Sequence, residues 1–186
     1  DIETMRLVRD HMLRAEGGPV IADFHTLALA TLPDGRRIPH RRRDWSAWIG
    51  LCDVVQMNRD EAQTIAGRVL PEPDECVAFA RELLHLGPEA VVITLAQQGA
   101  VGAQRSELGI NTYRAGPFAP AEIVDTVGCG DVFHSALTLG WVRYGNLEPA
   151  LRVATVAAGL HAGYAGLEGV SVLEQTWSEA TRHNIV

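Results

Sequence analysis

Strand-length apolar runs alternate with segments of helical period along almost the whole chain. That alternation restricts the fold more than any single residue does. The runs PVIADF (19–24), DVVQM (53–57) and AVVITL (90–95) are apolar, and the last is rich in the β-branched residues that suit strands. Apolar residues recur at helical spacing over 2–16, over a short stretch at 44–52, and over 58–67, 71–87, 129–144, 147–164 and 174–183. The stops have chemical causes. Gly17-Gly18-Pro19 ends the first helix and Gly67 ends the helix that starts near Asn58; the one before Gly87 opens on a proline and acidic residues. Two further strands, 99–105 and 110–116, read as a hairpin or meander, while 26–43 reads as an irregular basic segment with a turn at Pro33-Asp34-Gly35. Strands alternating with helices specify an α/β fold, a mainly parallel sheet flanked by helices. In such sheets a ligand sits beyond the carboxyl ends of the strands.

The 186 residues suffice for a real core, and no repeat, low-complexity tract or linker divides them, so a single α/β domain over 1–186 is expected. A net charge of -7 argues against a nucleic-acid partner, since phosphate backbones select basic faces. No apolar run approaches the roughly 18 residues of a membrane span, so no membrane partner is expected, and no signal peptide is visible. Cys52, Cys76 and Cys129 are scattered singly, without a CxxC pair. That fits reduced thiols in a cytoplasm better than a disulfide framework or a zinc site. The chain opens on DIETMRLVRD, without Met and already in helical register, as expected of a fragment.

Three turns carry candidate chemistry. DTVGCGD (125–131) sets two glycines around a cysteine just where a helix begins. Free N–H groups at a helix start attract anions, and glycines let a phosphate approach the backbone. Asp131 would then stand beside that nest, able to accept a proton from an attacking hydroxyl while the nest stabilises the transferring group. The bare pattern also suits a glycine-rich loop closing a helix, with Asp131 a favourable first-turn acid. Neither GxxxxGK[ST] nor GxGxxG occurs. At QMNRDEA, Asn58 and Glu61 suit a capping box, or a pair in which Asn58 lies near phosphates and Glu61 holds Mg²⁺ through water. The third turn, VVITLAQQGA, places Thr94 and Gly99 about a turn after a buried strand.

NRDE, TLAQQGA and DTVGCGD, in this order and spacing, resemble the C-terminal half of the ribokinase-like (PfkB-type) carbohydrate kinases, whose patterns are NxxE, TxGxxG and DTxGAGD. The resemblance covers about Cys52 to Gly169. It implies a Rossmann-like three-layer fold lacking the N-terminal half and the β lid, the chain being the nucleotide-binding and catalytic part of a longer kinase. The implied reaction is ATP-dependent phosphoryl transfer to a hydroxyl of a sugar or sugar-like substrate. A nucleoside kinase, or a non-catalytic nucleotide-binding or scaffold protein on the same fold, is the alternative. Carried over, Asp131 is the catalytic base, with Gly128, Cys129 and Gly130 around the phosphoryl group. Asn58 serves phosphate, Glu61 serves Mg²⁺ through water, and Thr94, Ala96 and Gly99 border the nucleotide.

Thr155, in ATVAAGLHAGYAG, faces the adenine pocket by resemblance, or belongs to a close-packed alanine-rich helix. Asp125 resembles a residue tied to a monovalent-cation site (K⁺) in some members, and equally suits an anchor that holds the turn by hydrogen bonds. Asp23, in ADFH, lies near the active site by the same resemblance, or plays a capping or turn role. ATP, Mg²⁺ and K⁺ are the implied cofactors, a cytoplasmic enzyme the implied setting, and a homodimer the assembly of a complete protein. Two departures stand out: Cys129 replaces an alanine, and Ala96 replaces a glycine, which strains the turn if that position needs positive φ. HRRRDW (40–45) reads as a solvated charge run, with attraction of an anionic acceptor as the alternative, and Trp45 and Trp48 as core-facing. A missing half would also uncover apolar surface, so marginal stability or self-association is expected.

Overall fold

The structure, a computed structural model, describes residues 1–14 and 17–171; the helix expected at 174–183 lies outside them. The chain clusters into two compact units, one of residues 1–95 with 101–112, the other of residues 96–100 with the chain from Tyr113 onward.

In the first unit α1 (Ile2–Arg14) leads to β1 (Ile21–Asp23), a 3-10 turn (His25–Ala28), β2 (Leu29–Thr31), β3 (Arg37–Pro39) and α2 (Trp45–Gly50). Then come β4 (Val54–Asn58), α3 (Arg59–Ala66), α4 (Pro73–Leu84) and β5 (Ala90–Thr94), followed by β6 (Ala100–Ser106) and β7 (Gly109–Ala115), which belong to this unit except for Ala100 and residues 113–115. One five-stranded sheet runs β1-β4-β5-β6-β7. Its first three strands are parallel, with Asp23 opposite Gln56 and Asn58 opposite Thr94. Only Glu107 and Leu108 join β6 to β7, too few residues for a crossover, so that pair is antiparallel and the sheet is mixed.

Two-residue alternation puts Val55 and Met57 of β4 on the same face as Val91 and Ile93 of β5. All four are fully buried, in one cluster with Ile65 of α3 and Phe79, Leu83 and Leu84 of α4. Each such side chain contributes roughly 1.5–3 kcal/mol over its exposed state. α4 starts where the sequence says it should: Pro73 needs no N–H partner, and the Glu75 carboxylate accepts the Glu72 N–H at 3.0 Å. α1 buries no residue completely; Met5 packs on the core and Arg9 pairs with Asp53.

The segment 26–43 departs from its irregular reading. β2 and β3 form a two-stranded antiparallel hairpin, its turn closed by Leu32 N–H to the Arg36 carbonyl at 2.8 Å. Asp34 accepts the Arg36 backbone N–H at 3.0 Å, and Gly35 takes φ 84°. Strands of three residues, one ending in proline, are too short to show a period. The arginines beyond the hairpin have local work: Arg41 lies over the Trp45 ring at 5.0 Å and Arg42 over Trp48 at 5.8 Å. Both tryptophans pack against the core cluster.

The second unit is a helical hairpin with its approach loops. α5 (Cys129–Tyr144) and α6 (Leu147–His161) are joined by Gly145 and Asn146 alone, a connection that sets them antiparallel. Asn146 caps α6 by accepting the Glu148 N–H at 2.8 Å. The two helices come close at Gly140, where an added Cβ would sit 2.8 Å from the Ala150 Cα. Leu137, Trp141, Leu147 and Leu151 are buried.

Candidate active site

In the first unit the candidate residues gather at the carboxyl ends of β1, β4 and β5. Asn58 ends β4 and caps α3: its Oδ1 accepts the Glu61 N–H at 2.9 Å, while Glu61 Oε2 accepts the Asn58 N–H at 2.7 Å. This is a complete capping box. Glu61 Oε1 also accepts from Asn58 Nδ2 at 2.7 Å and faces His25 Nδ1 at 2.9 Å. The carboxylate, in a residue only 5% exposed, is thus held from three sides. Thr94, the register partner of Asn58, ends the neighbouring strand. Asp23 takes its turn role, accepting the His25 N–H at 3.2 Å.

His25 is the residue that sequence reasoning missed here. Its signal was its place directly after the strand end in ADFH.

A carboxylate has about four acceptor positions, and Glu61 has three engaged. Mg²⁺ keeps most of its waters and leans on substrate phosphates, so one remaining carboxylate position suits a water-mediated contact. No group of three or more His, Cys, Asp or Glu among the described residues would hold a metal directly. The donor set therefore fits the ion as an outer-sphere partner.

In the second unit the turn 125–131 is built around Gly128, the residue before α5, at φ 82°. A side chain there would be strained. Asp125 braces the turn, its Oδ1 accepting the Val127 N–H at 2.9 Å and its Oδ2 the Gly166 N–H at 3.2 Å. Those bonds, Val127 first, hold the Asp125 carboxyl below its usual range. Of its two readings, the anchor is the one with geometry behind it. Burial, aided by the Asp125 charge, pushes the Cys129 thiol up and keeps it protonated.

The Cys129 N–H turns to the Thr126 carbonyl at 3.3 Å, and the Val132 N–H to that of Gly128 at 2.9 Å. Among the described residues no acceptor takes the N–H of Gly128, Gly130 or Asp131. The Asp131 side chain is exposed, and its carboxylate has no partner among the described residues. The first turn of α5 thus offers open donors beside an open carboxylate.

Behind the turn stands His161, 2% exposed, with Nε2 3.0 Å from the Val127 carbonyl oxygen. Sequence reasoning passed over it too; a lone imidazole in a run of Gly and Ala was the signal.

Ala96 and Gly99 bound a 3-10 turn of this unit. Ala96 has φ 51° and is the one non-glycine with positive φ among the described residues, so the strain expected of its substitution is present. Gly99 cannot be replaced in place: a Cβ would lie 2.1 Å from the Ala115 carbonyl oxygen. Thr155 is buried and gives its hydroxyl to the Leu151 carbonyl at 2.8 Å, the close-packed arrangement of its two readings.

The family model for pfkB family carbohydrate kinases matches residues 27–172, well over half of the chain. The chain belongs to that family. Among curated proteins it is 34% identical over 124 residues to the bifunctional protein HldE of Acidiphilium cryptum, covering 66% of this chain and 24% of that one. It is 35% identical over 107 residues to 1-phosphofructokinase of Escherichia coli, covering 58% of this chain and 33% of that protein. The chain thus spans a quarter to a third of these relatives. Arabidopsis thaliana ribokinase, solved with ribose and ATP, superposes with a TM-score of 0.71 at 20% identity, over 94% of this chain and 53% of that one. This pfkB-family chain therefore has the ribokinase fold over about half of that fold's length.

Among the described residues no helix is long and apolar enough to cross a membrane.

Proposed function

We propose that this pfkB-family protein takes part in transfer of the ATP γ-phosphoryl group to a hydroxyl of a sugar or sugar-like acceptor, with Asp131 as the base. The observation that carries the reading is the first turn of α5, where a carboxylate without a partner among the described residues stands beside N–H groups that no acceptor among them takes. Phosphoryl transfer asks for little else from a protein: an oriented acceptor, a place for its proton and donors for the charge on the transferring group.

In this reading Asp131 accepts the proton of the attacking hydroxyl. The N–H groups of Gly128 and Gly130 hold the phosphoryl oxygens, with Cys129 between them small enough to leave the backbone accessible. Asn58 and Thr94 serve the nucleotide phosphates, and the turn from Ala96 to Gly99 borders the nucleotide. Glu61 orients a water of the Mg²⁺ shell. When bound, the ion neutralises charge on the phosphate oxygens. We place the reaction in the cytoplasm, in keeping with three free cysteines.

The test is Asp131→Ala against the parent chain, with ADP release and product mass followed over a panel of sugars and sugar phosphates. Loss of a general base should lower turnover by about 10²–10⁴-fold, while calorimetric Mg²⁺-ATP affinity stays near that of the parent. Unchanged turnover would remove Asp131 from the mechanism.

A further inference from the structure

His161 is the most deeply buried polar side chain among the described residues, at 2% exposure. Its Nε2 lies 3.0 Å from the carbonyl oxygen of Val127, and its Nδ1 is shielded from solvent without a partner. A carbonyl oxygen only accepts, so Nε2 carries the proton and Nδ1 is left with its lone pair.

The ring is seated between two glycines. A Cβ on Gly128 would be 3.2 Å from Nε2, and one on Gly169 only 2.5 Å from Nδ1. Both faces of the fit therefore depend on residues without side chains, one in the turn and one past the end of α6.

The bonded carbonyl belongs to the peptide that also carries the Gly128 N–H. A trans peptide is planar, with its C=O and N–H pointing in opposite directions. Fixing the Val127 carbonyl toward α6 therefore fixes the Gly128 N–H away from α6, on the side where no acceptor among the described residues takes it.

We propose that His161 is a positioning residue: its Nε2–H, bonded to the Val127 carbonyl, orients the Gly128 N–H and with it the start of α5. The purpose of that orientation rests on the phosphoryl-transfer reading, whereas the bond itself does not. The motif DTVGCGD holds the accepting carbonyl but not the imidazole. The imidazole comes from the last residue of α6, 34 positions further along the chain.

The decisive measurement on the unaltered chain is a nitrogen–proton correlation spectrum of the histidine rings at neutral pH. The expected result is a His161 ring that carries a proton on Nε2; a ring protonated at Nδ1 alone overturns the proposal. Two variants then separate positioning from packing. His161→Gln carries an amide N–H where Nε2 stood, and His161→Leu carries none.

In the leucine variant the Val132 amide, bonded to the Gly128 carbonyl at 2.9 Å, should exchange about tenfold faster, the loss of roughly one hydrogen bond. The glutamine variant should stay close to the parent. With an acceptor sugar, kcat should fall in the leucine variant with little change in KM for ATP, and recover with glutamine. Equal behaviour of the two variants would overturn the proposal. A parent chain without phosphoryl transfer would count against the function proposed above, yet leave the ring and exchange measurements to decide this one.

Discussion

Ala96 holds a backbone conformation that costs an L-residue about 1–2 kcal/mol and that glycine adopts freely. Ala96→Gly should therefore raise unfolding stability by about 1 kcal/mol in urea titrations, after the extra freedom of the unfolded glycine is subtracted. A loss of stability would show that φ 51° is not where this turn stores strain. Cys52 makes a second prediction. Burial first, and the Asp53 charge second, push its thiol from an ordinary 9.0 to about 11. The unfolded chain then ionises this thiol while the folded one does not. Stability present below pH 9 should be lost as pH climbs towards about 11, by on the order of 2–3 kcal/mol. Cys52→Ala should flatten that alkaline decline in denaturation midpoints, and an unchanged slope would assign it to other groups. Single residues were the least legible level of this sequence. The role proposed for Asp131 rests on its neighbours in DTVGCGD, whereas His25 and His161 make contacts across distances of sequence that no local pattern reports.

Elements were legible in proportion to their length. The limits of α3, α4, α5 and α6 are nearly legible because their signals are local: Gly67 and Gly145 end α3 and α5, while Asn58, Pro73 and Asn146 mark the starts of α3, α4 and α6. The β2–β3 hairpin was missed because three-residue strands carry no period, and the paired arginines beyond it made the segment look solvated. The junction of β4 and α3 was read as either a cap or a phosphate and metal site, and its geometry makes the cap complete without excluding the other. Asn58→Ala should cost about 1–2 kcal/mol through the lost cap, and more turnover than stability if the side chain also meets nucleotide. Parallel denaturation and kinetics would separate the two losses. Proportionate changes in both would leave Asn58 a cap alone.

At the scale of the whole molecule, the α/β class followed from the alternation of strands and helices, and the antiparallel β6–β7 pair from the hairpin or meander expected at 99–105 and 110–116. The partition into two compact units was not legible. Residues 96–100 lie apart in sequence from the rest of their unit, and only three-dimensional packing groups them. Titration of the chain with Mg²⁺-ATP in a calorimeter is the test at this scale. Saturable binding should raise unfolding stability by about 2.7 kcal/mol at a hundredfold excess over Kd. A folded chain that takes up no nucleotide would count against the roles proposed for Asn58, Thr94 and the turn ending at Gly99.

Such unfolding need not be followed blindly. Trp45 and Trp48 are half-buried under guanidinium groups in the first unit, whereas Trp141 is 5% exposed within α5 of the second. With Trp177 replaced, excitation of the indoles would give a long-wavelength, arginine-perturbed emission from one unit and a short-wavelength emission from the other. Trp141→Phe in one sample and a paired Trp45→Phe, Trp48→Phe change in another would turn the chain into two single-colour reporters. The melting of each unit could then be watched in its own channel.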